Sequence, residues 1–344
     1  MVNGAGANSV RDGGMAARSR APVFVIGCPR SGTNLLYDCL LSSGGFAIFR
    51  GRIPIHQVLI PRFGKLDSIE NRKKIVSVFL RSEGFRRSGL NASELTQEIL
   101  ESGRTGGDFL RIVMEEIARH QNAPRWALYD PEMLVRMSII KREIPKALFI
   151  HIVRDGRDIA LSLRKLGGFN PYPWTSSPRS LEETALYWQW LVERGRNYGR
   201  RISGDYTEIH FEDLVEQPKR TMQALGDFLA QDLDYERILA HALGTLGKTN
   251  SSFRTDPADA GVNPVQRWKQ RLTPGEVAAL EWQVGRTLQA VGYTLNTAPN
   301  KWKPSMGSKI LRSLFPSYLD AKLWLKAHTP AGRVANMSKL ELEP

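Results

Sequence analysis

The segment Val25-Ile26-Gly27-Cys28-Pro29-Arg30-Ser31-Gly32-Thr33-Asn34 sets two glycines five residues apart, between a β-branched run and an apolar-periodic stretch. Glycines at that spacing let backbone N–H groups and a helix N-terminus close around an anion, so the expected chemistry is binding of a phosphate-like group. In a nucleotide triphosphatase a Lys and then a Ser or Thr follow the second glycine, the hydroxyl holding magnesium. Here Thr33 and Asn34 take those places, and an arginine, Arg30, sits inside the loop. The donors are then hydroxyl and guanidinium, without the usual magnesium arrangement. An ordinary strand-to-helix turn is the alternative.

A second group lies further on. The string Phe149-Ile150-His151-Ile152-Val153-Arg154-Asp155-Gly156-Arg157-Asp158 ends an apolar run in an arginine and puts Ser162 eight residues after it. In an open parallel sheet, ligands lie off the carboxyl ends of the strands, so Arg154 is expected in the same crevice as the Gly27 loop. Guanidinium and hydroxyl would chelate a second anionic group there. The competing reading makes Arg154, Asp155, Arg157 and Asp158 surface ion pairs at a helix start.

The elements that must hold these groups follow from periodicity. Residues 23–26 read as a strand and 31–41 as a helix. Residues 131–142 read as a helix, 147–153 as a buried strand and 157–165 as a helix start; 206–211 read as a strand and 218–230 as a helix. Helices are also expected over 109–120, 181–200 and 274–291, and Asn91-Ala92-Ser93-Glu94 has capping-box spacing. Helices alternating with short apolar strands imply an α/β fold of three layers, α/β/α, around a central parallel sheet.

With 344 residues, 42% hydrophobic and 24% charged, the chain is neither disordered nor a coiled coil. Its net charge of +13 calls for an anionic ligand or surface. Much of the excess is in the tails: residues 299–344 carry +5 and the first twenty +2. The expected organisation is a flexible segment over 1–20, one domain over 21–298 and a basic C-terminal extension over 299–344. In that extension Ile310, Leu311, Leu314, Phe315, Leu319, Leu323 and Trp324 suit amphipathic helix on either side of Pro316, packed on the domain or touching a membrane or partner surface. Cys28 and Cys39 fit neither a disulfide framework nor a zinc site. No run approaches the roughly 20 apolar residues of a membrane span, and no secretory signal is present. A soluble, cytoplasmic protein is expected. The basic patch with interleaved aromatics that marks a nucleic-acid surface is not found, so no nucleic-acid partner is expected.

Taken in order and about 125 residues apart, Cys28-Pro29-Arg30-Ser31-Gly32-Thr33 and Val153-Arg154-Asp155-Gly156-Arg157-Asp158 with Ser162 resemble the two nucleotide motifs of the sulfotransferase family that uses 3′-phosphoadenosine 5′-phosphosulfate (PAPS). The resemblance continues through Ile209-His210-Phe211-Glu212-Asp213-Leu214 and 261–272, covering roughly 21–295. It implies a nucleotide-kinase-like fold with a P-loop-like phosphosulfate loop, and PAPS as co-substrate bound without a metal. By position, Arg30, Ser31, Gly32, Thr33 and Asn34 would hold the 5′-phosphate and sulfuryl group, Arg30 also stabilising leaving-group charge. Arg154 and Ser162 would hold the 3′-phosphate. Phe211, where some members have Tyr, would stack, and Arg267 and Lys269 in Gln266-Arg267-Trp268-Lys269 resemble a segment that closes over the cofactor.

Transfer of a sulfuryl group, by analogy with phosphoryl transfer, rests on positioning and fixed positive charge, helped by a general base. In the family that base is usually a Glu or His soon after the first helix. Phe49-Arg50-Gly51-Arg52-Ile53-Pro54-Ile55-His56-Gln57 contains no carboxylate, which leaves His56 as the catalytic candidate. Asp130, before Pro131, is the fallback and is equally an N-cap; His151, inside a strand, reads as structural. The acceptor would be a hydroxyl or amine of a small molecule, glycan or lipid-linked metabolite. Its pocket is expected from residues 50–61, the loop 169–174 and the helix carrying Trp188 and Trp190. A nucleotide-binding protein without turnover is the competing reading. A P-loop kinase is a weaker one, because Thr33 stands where Lys is needed.

Overall fold

The computed structural model describes residues 17–166, 179–244, 246, 264–298, 302–330, 333, 337–340 and 342. Residues 1–16, the expected acceptor loop 169–174 and residues 261–263 lie outside these.

Strand β1 (Val23–Ile26) is apolar at every position, and its side chains alternate between two cores: Phe24 and Ile26 on one face of the sheet, Val23 and Val25 on the other. A strand covered on both faces belongs inside a parallel sheet. β1 is indeed the middle of five parallel strands in the order β2-β3-β1-β4-β5, with β2 at Phe46–Ala47, β3 at Arg125–Tyr129, β4 at Leu148–Val153 and β5 at Tyr206–His210. The chain leaves β1 for β2 and β3 on one side, then crosses to β4 and β5 on the other. The order therefore reverses at β1, and the crevice beyond its carboxyl end is where such sheets bind ligands.

The longer helices are α1 (Thr33–Ser42), α2 (Ile69–Phe79), α3 (Ala92–Ser102), α4 (Gly106–His120), α5 (Met137–Glu143), α6 (Gly156–Leu166), α7 (Leu181–Gly199), α8 (Pro218–Leu229), α9 (Pro274–Ala290) and α10 (Met306–His328). Leu36 and Leu40 of α1 pack with Met222 and Leu225 of α8 on one face. Val113 of α4, Ile159 of α6, Trp188 of α7 and Leu280 of α9 cover the other. This is the expected three-layer α/β/α arrangement.

Local signals fix the helix starts. Asn91 caps α3 by accepting from the N–H groups of Ser93 and Glu94, and reciprocal capping boxes join Thr105 to Asp108, Ser180 to Glu183 and Thr273 to Glu276. The stretch expected as one helix over 131–142 is a 3-10 turn, Pro131–Arg136, followed by α5, with non-helical backbone at Arg136 (φ −121°) where they meet.

The C-terminal extension also departs from expectation. α10 is one continuous helix with Pro316 inside it rather than two pieces. A proline costs an intrahelical hydrogen bond, but tertiary anchors flank this one. Phe315 and Leu319 are buried, and Asp320 accepts from the Trp190 indole at 2.6 Å and pairs with Arg194. Arg312 lies over the Trp282 ring at 4.6 Å. Among the described residues no helix is long and apolar enough to cross a membrane.

Candidate active site

The turn after β1 is built for close approach. A Cβ on Gly27 would stand 2.6 Å from the Ile152 carbonyl oxygen, so only glycine lets the loop leave β1 so near β4. Gly32 has φ +94°, and a Cβ there would be 2.4 Å from the Phe211 ring. Arg30 is also left-handed, at φ +78°, a conformation costing about 1–2 kcal/mol for a residue with a side chain. Strain of this kind collects where a loop is held for a task. Gly32 also occupies the cap of α1 with no side-chain hydrogen bond, and the first turn of α1 has no acidic residue. That helix end therefore presents its N–H groups and positive dipole to the loop.

Adjacent strands β1 and β4 then bring two arginines together. Arg154, 3% exposed, donates through Nη1 to the Arg30 carbonyl at 3.1 Å and through Nη2 to the Pro264 carbonyl at 2.6 Å. Its guanidinium lies 4.2 Å over the Phe211 ring, and Asp158 stands 3.9 Å away. Arg30 donates through Nε to Ser162 Oγ at 3.1 Å. Burial, and then the neighbouring charge of Arg154, lower the Arg30 pKa. Two like charges side by side are relieved by an anion between them. Ser31 Oγ and Arg154 Nε are both buried and lack a hydrogen-bond partner among the described residues. Buried donors without partners next to a glycine cradle fit an anionic group such as a phosphate or sulfate.

The structure thus gathers Arg30, Ser31, Gly32, Arg154, Ser162 and Phe211 into one crevice. Ser162 takes Arg30 as its partner there. Thr33 is buried and Asn34 exposed.

The ion pairs read as a surface alternative are instead interior. Asp155, Arg157 and Asp158 are each 2–3% exposed. Arg157 donates to both Asp155 oxygens at 3.0 and 2.7 Å and to Glu281 at 2.5 Å. The Trp268 indole donates to Asp155 at 3.1 Å, and its backbone N–H to Asp158 at 2.9 Å. Asp155 N–H donates to Glu212, which also accepts from the Tyr293 hydroxyl at 2.8 Å. This network pins the 264–272 segment to the start of α6 beside Arg154. Trp268 is its anchor, Arg267 is buried, and Lys269 is exposed with its ammonium 5.6 Å from the Trp268 ring. Glu212 and Trp268 fall inside strings that the sequence singles out, Phe211-Glu212 and Gln266-Arg267-Trp268-Lys269, while Glu281 and Tyr293 carry no sequence signal of their own.

Of the two base candidates, His56 is enclosed. It sits in a π-turn, Ile55–Leu59, with Nε2 2.8 Å from Glu143 Oε2, and Gly106 is so close that a Cβ would touch the ring. Glu143 also accepts from the Gly107 N–H at 2.7 Å. Burial pushes the Glu143 carboxyl up, but the bonds from His56 and Gly107 outweigh it and leave the group low. His56 therefore docks the start of α4 against the end of α5. Asp130 is better placed: the register Val25↔Tyr129 sets it level with Ile26, one residue before Gly27. It is half-buried and accepts from the Gln57 amide at 3.0 Å.

The tryptophans expected in the acceptor pocket are committed to structural contacts. Trp188 is fully buried and donates to the Arg154 carbonyl at 3.0 Å, while Trp190 is bound to Asp320 of α10. His151 is buried and bonded to the Tyr206 hydroxyl at 2.7 Å, which fits a structural role.

Comparison with known proteins agrees with this geometry. A model of the sulfotransferase family matches residues 22–237. The protein-tyrosine sulfotransferase of Drosophila melanogaster is 26% identical over 285 residues, spanning 79% of this chain and 51% of that protein. Protein-tyrosine sulfotransferase 1 of Homo sapiens is 25% identical over 295 residues, or 82% and 72%. The chain thus spans about half the length of the fly relative. Among solved structures, the sulfotransferase domain of the Synechococcus PCC 7002 olefin synthase superposes with a TM-score of 0.55 at 19% identity, covering 80% of this chain and 96% of that one. That likeness supports the fold. With the family match covering more than half its length, and with the Gly27 loop and Arg154 meeting in one crevice, the chain belongs to the sulfotransferase family.

Proposed function

We propose that this protein transfers a sulfuryl group from PAPS to an acceptor hydroxyl, and that a tyrosyl phenol is the first acceptor to test, since the fly and human relatives are named for it. The pairing of Arg30 with Arg154 beside the unpartnered Ser31 hydroxyl carries the reading. Ser31, Thr33 and the N–H groups opening α1 bind the 5′ end of the nucleotide, and Arg154 over Phe211 binds its 3′-phosphate. PAPS supplies the sulfuryl group, and the Arg30 guanidinium stabilises the charge left on the departing oxygen. Asp130, held by Gln57, takes the acceptor proton. Location in a reducing cytoplasm belongs to the same proposal, and the two buried, unpaired thiols Cys28 and Cys39 accord with it.

The test is thermal stabilisation by 3′-phosphoadenosine 5′-phosphate (PAP) in EDTA, set against Mg·ATP, followed by transfer from PAPS to a tyrosine peptide read by mass spectrometry. Ligand at 100 times its dissociation constant stabilises by about 2.7 kcal/mol. Stabilisation by Mg·ATP alone would overturn the reading in favour of a kinase. Binding of PAP without transfer to any hydroxyl or amine acceptor would favour a nucleotide-binding protein without turnover.

A further inference from the structure

α10 has two apolar faces, and among the described residues only one is covered. Phe315 and Leu319 are buried against the domain, whereas Met306, Ile310, Leu314, Trp324 and Leu325 are 47–70% exposed. The spacing 306, 310, 314 and then 324–325 lines these residues along one outward stripe at helical period. Contacts with α7 and α9 fix the helix in this orientation: the only carboxylate of α10, the exposed Asp320, is neutralised by Arg194 and accepts from the Trp190 indole, and Arg312 lies over the Trp282 ring. Lys303 and Lys309 are exposed at the start of the stripe. At its other end Trp324 stacks on His328, ring centroids 5.1 Å apart. His328 in turn lines a cavity of about 640 Å³ together with Arg62, Lys74 and Arg333. No carboxylate is among the described residues around it.

We infer that this face docks on an anionic lipid surface, with the stripe lying in the interfacial plane and the cavity at His328 taking a headgroup phosphate. An amphipathic helix with an apolar face, a Trp at the interface and basic flanks binds membranes through buried apolar area and attraction to anionic lipid together. The charge selects this occupant. A second copy of a chain carrying +13 would bring its own like charge to the same face, whereas the cytoplasmic leaflet is negative.

The experiment is sedimentation of the full chain with vesicles of phosphatidylcholine alone or mixed with phosphatidylserine. The protein should pellet with the mixed vesicles, not with the neutral ones, and added salt should release it. Leu314→Glu with Trp324→Ala should weaken binding by about tenfold or more, and Lys74→Glu with Arg333→Glu likewise, through lost apolar area in the first pair and lost charge in the second. PAP stabilisation should be the same in all of them, so this result stands apart from that of the sulfotransferase reading. Equal binding to neutral vesicles, or no binding to either, overturns the inference. So does a solution dimer dissolved by Leu314→Glu, or complete displacement by soluble glycerophosphoserine. The first of these marks a self-association surface, the second a site for a free phosphoester.

Discussion

Arg154 donates from its guanidinium to the backbone carbonyl of Arg30 across 3.1 Å, so the ends of β1 and β4 are tied by the same group that faces the crevice. The residue proposed to bind the nucleotide's 3′-phosphate would then also set the shape of the loop proposed to hold its 5′ end. Arg154→Ala should therefore weaken PAP binding by more than one contact. With charge-assisted hydrogen bonds contributing about 1.5–3 kcal/mol each, the expected loss is roughly 100-fold or more by calorimetry. Arg154→Lys should recover little of it, because an ammonium cannot reach the Arg30 and Pro264 carbonyls and a phosphate as a planar fork does. Unchanged PAP affinity in Arg154→Ala would mean the nucleotide lies elsewhere.

Gly32→Ala should fail for two separable reasons. Its φ of +94° disfavours any side chain, and the added Cβ would meet the Phe211 ring at 2.4 Å. The backbone part is about 1–2 kcal/mol and the overpacking part about 1–3 kcal/mol. Combining it with Phe211→Leu should return the packing part alone. Urea unfolding of the single and double variants measures both; full recovery in the double variant would show that the backbone is unstrained.

The sheet and the meeting of the Gly27 loop with the Arg154 string were legible because each depends on near neighbours in sequence: an apolar run, then a glycine or arginine at its end. β2, two residues long, has no such pattern. The departures around the site involve distant partners. His56 reads as a free base until Glu143, 87 residues on, closes over it. Arg157 reads as a surface charge until Glu281, 124 residues on, pairs with it inside the protein. Trp188 and Trp190 look like a pocket wall until Arg154 and Asp320 take their indole donors. The left-handed Arg30 is invisible for a different reason, since nothing in the residue type announces a strained backbone. Arg125 is similar: it is buried at the start of β3 and satisfied by the carbonyls of Ala21, Leu229 and Arg18, which no local pattern encodes.

Asp130→Asn should keep PAP binding and lower turnover by about 10²–10⁴, the usual contribution of a general base, because an amide still accepts from Gln57 but cannot take a proton. His56→Ala should do the reverse. Losing the bond to Glu143 leaves a half-buried carboxylate with less support, costing about 1 kcal/mol of stability, while kcat per folded molecule holds. Steady-state kinetics beside thermal melts separates the two outcomes. A turnover loss in His56→Ala with an unchanged melt would restore His56 as the base.

Two buried groups oppose each other across one pH window. Burial pushes the Asp158 carboxyl up to about 6 against the pull of Arg154, so the folded protein takes that proton before the unfolded chain does. This contribution to stability is complete below the unfolded value near 3.9 and is lost as pH rises through about 6. Burial pushes His151 down to about 4, with Glu208 working the other way. Here the unfolded chain is protonated first, near 6.5, and the folded state loses stability as pH falls from there to about 4. Each effect spans roughly 2 pH units, or about 3 kcal/mol, so the pair should nearly cancel in the wild-type protein. Asp158→Asn keeps an acceptor for the Trp268 N–H and removes one side of the balance. It should be more stable than wild type at pH 7 and should lose that advantage steadily on acidification. His151→Gln, which keeps a donor toward Tyr206, should show the opposite slope. Urea unfolding of the three proteins across this window decides it: parallel curves for Asp158→Asn and wild type would mean that the Asp158 carboxyl titrates as it does in water.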